Sequence, residues 1–496
     1  MEQNLIAVSI SRPGFEYDIH SLVKAFYPKC DVKVYVEEEG APFHSSQGYP
    51  GLSLNFDSEI ITLGIVSTEK EGNSSSFSGK SINISPDMER PEVKNCLKQL
   101  IYVTLSELTG RSLPWGTLTG IRPTKIPMTL LEEGRKEEDI LGYMKETYFV
   151  SDAKGLLSIE IAKREKELLS TLHYKDGYSL YIGIPFCPTT CLYCSFTSFP
   201  IVSWKKRIGE YLTALEKEIE FTADIYKDKI LDTVYIGGGT PTTLEAEELD
   251  RLLSKLKTTL DFSHVKEFTV EAGRADSITK EKLEVLKKWG VTRISVNPQT
   301  MKEETLKLIG RQHTVKQVRE AFYLARETGF TNINMDLILG LPGEEEADVS
   351  ATIEAVKELA PDSITVHSLA IKRASKLNRW IEENGITALN NTDRTMEIAA
   401  KGAAELGMVP YYLYRQKNMS GNFENTGYAK EGKFGIYNIL IMEEKQTIVA
   451  LGAGSITKRV YPDGRIERCD NVKDVALYIE KIDEMIERKR KLLTDF

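Results

Sequence analysis

Cysteine is scarce in this chain: six residues in 496. That is too few for a disulfide framework and suits a reducing compartment, so a cytoplasmic protein is expected. An excess of positive charge is also missing, since 64 Lys plus Arg face 73 Asp plus Glu for a net charge of −9. Neither nucleic acid nor an anionic membrane is drawn to such a surface as a whole. Apolar runs of the ~18 residues that span a bilayer are absent. The opening MEQNLIAVSISRPGF carries an acidic residue at once and no long apolar core, unlike a secretory signal. No box rich in tryptophan or methionine points to an unusual cofactor, and no low-complexity tail is present. What remains is ordinary globular material, 41% apolar and 28% charged, with length for about three domains.

Residues 1–170 mix short β-rich runs (LIAVSIS, DVKVYVE, EIITLGIV) with a helical pattern near 91–109. The Ser/Gly-rich stretch EGNSSSFSGK at 71–80 is expected to be a surface loop. This predicts an α+β region of unassigned role, joined to the rest of the chain by a helix at about 152–172. From 178 the pattern changes to β-branched runs separated by amphipathic stretches: YSLYIGIPF, TVYIGGG, EFTVEAG, RISVNPQ, INMDLILG and SITVHSLA. Repeated βα units read this way, and they fit either a partial barrel or an open doubly wound sheet over 171–370. Residues 371–496 are mixed again and are expected as a C-terminal α+β domain. It has a helix near 392–406, strand-like runs VPYYLYRQ, YNILIME and TIVALGAGS, a hairpin turning at Pro462-Asp463-Gly464, and a closing helix at about 472–491.

The unusual residues fall at the carboxyl ends of successive runs: Cys187, Gly237 to Gly239, Glu271, Gln299, Asp336 and His367. That edge is where barrels and open α/β sheets bind ligands. Cys187, Cys191 and Cys194 form C-x3-C-x2-C in the loop leaving the first of these strands. A structural zinc site wants four N/S ligands, and no fourth Cys or His lies nearby. A cubane iron–sulfur cluster held by three thiolates keeps one iron open for a ligand that is not protein. Cys30, Cys96 and Cys469 are scattered and read as small hydrophobes.

The cysteine spacing within YIGIPFCPTTCLYCSF resembles the radical S-adenosylmethionine (SAM) superfamily. The resemblance implies a partial (β/α)6 barrel and a [4Fe-4S] cluster on Cys187, Cys191 and Cys194. SAM would chelate the open iron and be cleaved to a 5′-deoxyadenosyl radical. Gly237-Gly238-Gly239-Thr240-Pro241-Thr242 resembles the superfamily's glycine-rich SAM contact, where backbone must approach closely. Glu271 in FTVEAG, Gln299 and Arg311 in RISVNPQTMKEETLKLIGRQHT, and Asp336 in NINMDLILGLPGE resemble the oxygen-independent coproporphyrinogen III oxidase group. By that resemblance Glu271 and Arg311 hold the methionyl group, as charge pairing favours. Gln299 and Asp336 face the nucleoside or a second SAM, and Tyr181 joins the SAM contacts. The resemblance covers about 178–460, and WGTLTGIRPTKI at 115–126 resembles a subtype of the group with an extra N-terminal region.

The implied activity is oxidative decarboxylation of coproporphyrinogen III to protoporphyrinogen IX, by a monomer fed electrons by a carrier such as flavodoxin or ferredoxin. The alternatives are heme binding or delivery, or radical chemistry on another tetrapyrrole. The chain departs from the group's pattern in several places. Phe196 stands where the oxidases carry a fourth cysteine, and Ile182 with Gly183 follows Tyr181 where they carry histidine. Ser195 replaces the aspartate of the heme chaperones, and Glu424-Asn425-Thr426-Gly427-Tyr428-Ala429 replaces their His-Asn-x-x-Tyr-Trp. A tetrapyrrole with four propionates needs cations, for which Lys372, Arg373, Arg415 and Lys417 are candidates, with His367 as a proton donor or axial ligand.

Overall fold

A computed structural model of the chain describes residues 5–37, 51–66, 78–371, 375–385, 389–416 and 423–494. Two compact units form, one from Met1–Ala162 with Tyr414–Glu424, the other from Lys163–Leu413 with Asn425–Phe496.

The first unit is built on strands β1 (Leu5–Ile10), β2 (Asp31–Val36), β3 (Gly51–Phe56), β4 (Ile60–Val66) and β5 (Ser78–Asn83), in the order β2-β1-β3-β4-β5. β1 runs parallel to both neighbours, with helix α1 (Glu16–Phe26) as the crossover to β2, while β3, β4 and β5 meander antiparallel. Alternating apolar residues Ile6, Val8 and Ile10 pack with Ile19, Leu22 and Val23 of α1 and Leu97 and Ile101 of α2 (Arg90–Thr109). α2 starts where a capping box of Glu89 and Glu92 satisfies its first amides. Helices α3 (Lys125–Glu132), α4 (Glu137–Tyr148) and α5 (Asp152–Leu169) complete the order up to the second unit's first strand. The expected loop at 71–80 ends early, because pairing with β4 takes Ser78 to Lys80 into β5. Residues 71–77 lie outside the described residues.

The second unit carries β6 (Gly177–Ile184), the short pair β7 (Phe186–Cys187) and β8 (Phe199–Pro200), then β9 (Ile230–Gly238), β10 (Glu267–Glu271), β11 (Arg293–Ser295), β12 (Ile333–Leu339) and β13 (Ser363–Ser368). Between them lie α6 (Ile208–Ile225), α7 (Ala246–Thr259), α8 (Lys280–Lys288), α9 (Glu303–Leu308), α10 (Val315–Glu327) and α11 (Glu346–Leu359). The parallel run β6-β9-β10-β11-β12-β13 is the expected βα series. The stretch expected as a separate C-terminal domain contributes α12 (Leu377–Asn384), α13 (Asp393–Glu405), β14 (Val409–Tyr414), β15 (Asn425–Ala429), α14 (Ile436–Glu443), β16 (Thr447–Leu451), β17 (Ile456–Val460), β18 (Ile466–Asp470), α15 (Val475–Glu480) and α16 (Ile482–Thr494). Its strands extend the same sheet at both edges: β15 pairs antiparallel with β13, and β16 pairs parallel with β6.

The sheet is curled. Five strands separate β9 from β14 in its order, yet successive residues of α14 reach both, since Tyr437 stacks on Tyr235 of β9 at 4.5 Å and Asn438 Nδ2 donates to Tyr411 Oη of β14 at 3.4 Å. Along each strand one face is apolar (Leu180, Ile182, Val234, Ile236, Ile294, Met335, Ile364), where right-handed crossovers place the helices. The other face carries Ser179, Thr233, Thr269, Asn334 and Thr365, all buried. Several of these groups bond to one another, as in Thr233 Oγ1 to Ser179 Oγ at 2.8 Å and Thr365 Oγ1 to Asn334 Oδ1 at 3.2 Å, whereas Thr269 Oγ1 has no hydrogen-bond partner.

Two elements differ from the expectation. YNILIME is helical, because the buried Glu267 carboxylate accepts the amides of Ile436 (2.6 Å) and Tyr437 (3.3 Å) and so anchors a helix start against local β preference. The closing helix is two, α15 and α16, broken at Lys481. Among the described residues no helix is long and apolar enough to cross a membrane.

Candidate functional site

Cys187 ends the short strand β7, and the loop beyond it carries Cys191 and Cys194. None of the six cysteines forms a disulfide. The loop is pinned at several points: Leu192 N donates to Ile309 O (2.9 Å), Thr189 Oγ1 to Gly310 O (3.0 Å), and Cys194 N to Cys191 O (3.2 Å). The buried Arg274 side chain donates to Thr189 Oγ1 at 2.7 Å and holds Asp276 bidentately at 2.6 and 2.9 Å. Burial pushes the Cys187 thiol up; the Thr240 hydroxyl, 3.5 Å from its Sγ, opposes this, while Cys194 and Cys191 add to it. Among the described residues no three His, Cys, Asp or Glu side chains are gathered closely enough to hold one metal ion. Three neighbouring thiols on one braced loop, two of which bear electrostatically on Cys187, supply the donor type that an iron–sulfur cluster takes.

Gly237 and Gly238 end β9 beside this loop, and Gly239 follows them. Gly239 N donates to Ile184 O (2.8 Å) and Thr240 N to Phe186 O (2.7 Å), so the glycine edge is laced to the strand leading to Cys187. A Cβ on Gly239 would fall 2.5 Å from the Phe186 carbonyl oxygen, and only glycine permits that approach.

Glu271, the last residue of β10, accepts a hydrogen bond from the Tyr235 hydroxyl. Desolvation pushes its carboxyl up to about 7, against the Tyr235 hydrogen bond and with help from the Asp336 charge. On β12, burial raises the Asp336 carboxyl, but hydrogen bonding and charge from His367, with Asn334 and Thr365, outweigh it and hold the group below its ordinary value. The Asn334 amide donates to Asp336 Oδ1 at 2.7 Å, and His367 Nε2 lies 3.9 Å from Asp336 Oδ2. Gln299 is buried with φ of 69°, a left-handed conformation rare for its type. Two hydrogen bonds fix it, its N to Asp336 O and Ile338 N to its O, both 2.9 Å.

Arg311 is buried, its Nη1 donating to Asn297 O (2.6 Å) and its Nη2 to Tyr193 Oη (3.2 Å), while Nε has no hydrogen-bond partner. A buried, unsatisfied guanidinium N–H beside the thiol loop is fitted to receive an anion. Tyr181 stacks over Tyr437 at 6.1 Å, and Tyr437 over Tyr235 at 4.5 Å, so an aromatic pile stands beside Glu271, which the Tyr235 hydroxyl contacts.

The second unit thus brings Tyr181, Cys187, Cys191, Cys194, Gly237 to Gly239, Thr240, Glu271, Gln299, Arg311, Asp336 and His367 onto one end of one curled sheet. Arg415 is not among them. It belongs to the first unit, buried, with Nη1 donating to Leu118 O, its own amide to Ile121 O, and its charge 5.8 Å from the Trp115 ring. Lys372, Arg373 and Lys417 lie outside the described residues. Sequence reasoning missed Tyr235, Arg274, Asp276 and Tyr437. Tyr235 sits two residues before the glycines on the same strand face, a signal that was available; the others had none.

The Radical SAM superfamily profile matches residues 181–356. The chain is 40% identical over 484 residues to the oxygen-independent coproporphyrinogen-III oxidase-like protein HemZ of Bacillus subtilis (strain 168), a match spanning 96% of this chain and 95% of that protein. It is 40% identical over 195 residues to the heme chaperone HemW of the same organism, spanning 39% of this chain and 51% of the relative. Among solved structures, the coproporphyrinogen III oxidase HemN of Escherichia coli aligns with a TM-score of 0.50 at 23% identity, over 64% of this chain and 72% of that one. That likeness is one of fold.

Proposed function

Since the chain belongs to the radical SAM family of oxygen-independent coproporphyrinogen III oxidase-like proteins, we propose that it decarboxylates propionate side chains of a porphyrinogen, turning coproporphyrinogen III into protoporphyrinogen IX without oxygen. The observation that carries this reading is that the likeness to the oxidase-like relative runs through 96% of the chain, and not through the barrel alone. Membership of this family implies a [4Fe-4S] cluster and SAM. In this reading Cys187, Cys191 and Cys194 hold the cluster. Glu271 pairs with the α-ammonium of SAM and Arg311 with its carboxylate, the glycine edge lies along the methionyl chain, and Gln299 and Asp336 face the nucleoside or a second SAM. Cluster and SAM bound together supply the one-electron chemistry that breaks an unactivated C–H bond. The protein's own contribution is orientation, solvent exclusion by the tyrosine pile, and a carboxylate whose ionisation burial opposes and Tyr235 favours. Lys372 and Arg373 are proposed for the propionates, while Arg415, spent on the Leu118 carbonyl, is a poor candidate. A cytoplasmic monomer reduced by flavodoxin or ferredoxin completes the proposal.

Heme delivery is the second reading, favoured by the equal identity to the chaperone over its shorter span. Against that route, Glu424 accepts hydrogen bonds from Trp115 and Lys154, and Asn425 to Ala429 are a buried strand whose Asn425 accepts Ser368 N at 2.8 Å. The test is anaerobic incubation of reduced, reconstituted protein with SAM and coproporphyrinogen III. Carbon dioxide and a divinyl product are expected, both lost in Cys191→Ala. Stoichiometric heme binding without product would replace this reading by heme delivery.

A further inference from the structure

The first unit holds a second site of its own. At the carboxyl edge of β1 the chain turns off through α1 to β2, whereas β3, the other neighbour, turns away into its hairpin with β4. Where connections part beside parallel strands, a crevice opens that ligands use. Here it is a cleft of about 360 Å3 between the β1–α1 loop, the β3–β4 turn and the segment joining β5 to α2. Two guanidiniums and two hydroxyls line it: Arg12, Arg90, Ser58 and Ser85.

The arginines are arranged for an anion. Phe15 and Phe56 stack at 5.5 Å, nearly parallel, and form the platform beneath them. Arg12 lies 5.9 Å from both rings and Arg90 5.6 Å from Phe15. Arg90 Nη2 also donates to Gly14 O at 2.6 Å. Gly14 has a φ of +97°, and a side chain there would strain the turn and press on that guanidinium, 3.4 Å from an added Cβ. Neither arginine meets a carboxylate among the described residues. The acids close by are committed to backbone amides: Glu16 to Gly14 N (2.7 Å), Asp57 to Ser58 N (3.0 Å), and Glu89 and Glu92 to each other's amides at the start of α2. Two guanidiniums thus share a cleft with neither drawn into an ion pair among the described residues, in a chain of net charge −9.

From this juxtaposition we propose that the cleft at Arg12 and Arg90 is a binding site for a small oligo-anion carrying phosphate or multiple carboxylate groups. Calorimetric titration of the full-length protein with two probes, inorganic pyrophosphate and the tetracarboxylate coproporphyrin III, tests it and separates the sources. Heat that saturates with pyrophosphate alone assigns a phosphate ligand. Saturation with the porphyrin alone counts as support only if the Arg12→Glu, Arg90→Glu double variant abolishes it, since the barrel is a competing site for that probe. The double variant is expected to weaken binding at least about tenfold, the cost of one lost charge-assisted contact, while SAM binding in the other unit is unchanged. Both arginines are exposed, so the fold is expected to survive; Gly14→Val serves as a second variant, displacing Arg90 without removing charge. No saturable heat at millimolar probe, or equal affinity in the double variant, would overturn the proposal whatever the fate of the radical chemistry.

Discussion

Glu271 is held by desolvation near a pKa of about 7, so its ability to pair with a cation is set within the physiological range. A neutral carboxyl cannot pair with the α-ammonium of SAM. Affinity is therefore expected to rise with pH through about 7 and level off above it. Tyr235→Phe removes only the hydroxyl that donates to Glu271 and keeps the ring that stacks at 4.5 Å on Tyr437. A hydrogen bond to a charged group contributes ~1.5–3 kcal/mol, equivalent to roughly one to two pKa units. The midpoint should move up by that amount, and at pH 7.5 the ionised fraction, and SAM affinity with it, should drop roughly tenfold. Equilibrium dialysis of labelled SAM against reconstituted protein between pH 6 and 9.5 reads both curves. Stability moves the opposite way: a folded carboxyl with a raised pKa keeps a proton that the unfolded chain loses, so its contribution declines as pH rises from the ordinary carboxylate range through about 7. Comparing thermal denaturation of the wild type with Glu271→Gln isolates that component. An unshifted midpoint in Tyr235→Phe, or a wild-type affinity flat across pH 6 to 8, would refute the assignment of Glu271 to the ammonium.

Gly239→Ala would set a methyl 2.5 Å from the Phe186 carbonyl, and should lower the iron retained after anaerobic reconstitution more than it lowers thermal stability. Gln299→Gly relieves a φ of 69°, and is expected to stabilise the backbone by about 1 kcal/mol in urea denaturation while SAM binding weakens. Lys489→Met strands the fully buried Glu218, which keeps Gly452 N at 2.8 Å and Asn471 at 3.0 Å but loses its counter-charge. The expected cost is about 3–5 kcal/mol, partly recovered by adding Glu218→Gln; a change within about 0.5 kcal/mol would contradict this account.

The βα series was legible because each strand announces itself twice, by a β-branched run and by the chemistry at its end. Glu271, Gln299 and Asp336 could be placed on one rim from their positions in these runs alone. The tertiary partners were not legible. Nothing local in YNILIME reveals that Glu267, far earlier in the chain, will accept its first amides and turn a strand-like run into α14. Likewise Arg274 looks like a loop arginine until its hydrogen bonds to Thr189 brace the cysteine loop. Arg415 misleads for the converse reason: a cation beside tyrosines suggests an acidic ligand, whereas here a backbone carbonyl uses it.

The strand that delivers the cysteine loop is completed from the far end of the chain, since β16 lies along β6 from Thr447 beside Tyr178 to Leu451 beside Ile182. A ribosome that has released all three thiols of the loop and the glycine edge has therefore not yet made the neighbour that covers β6. Until then the nascent barrel keeps a bare edge open to mispairing. A message truncated just short of codon 447 would yield a polypeptide with all the sulfurs of the loop and no finished cradle for them.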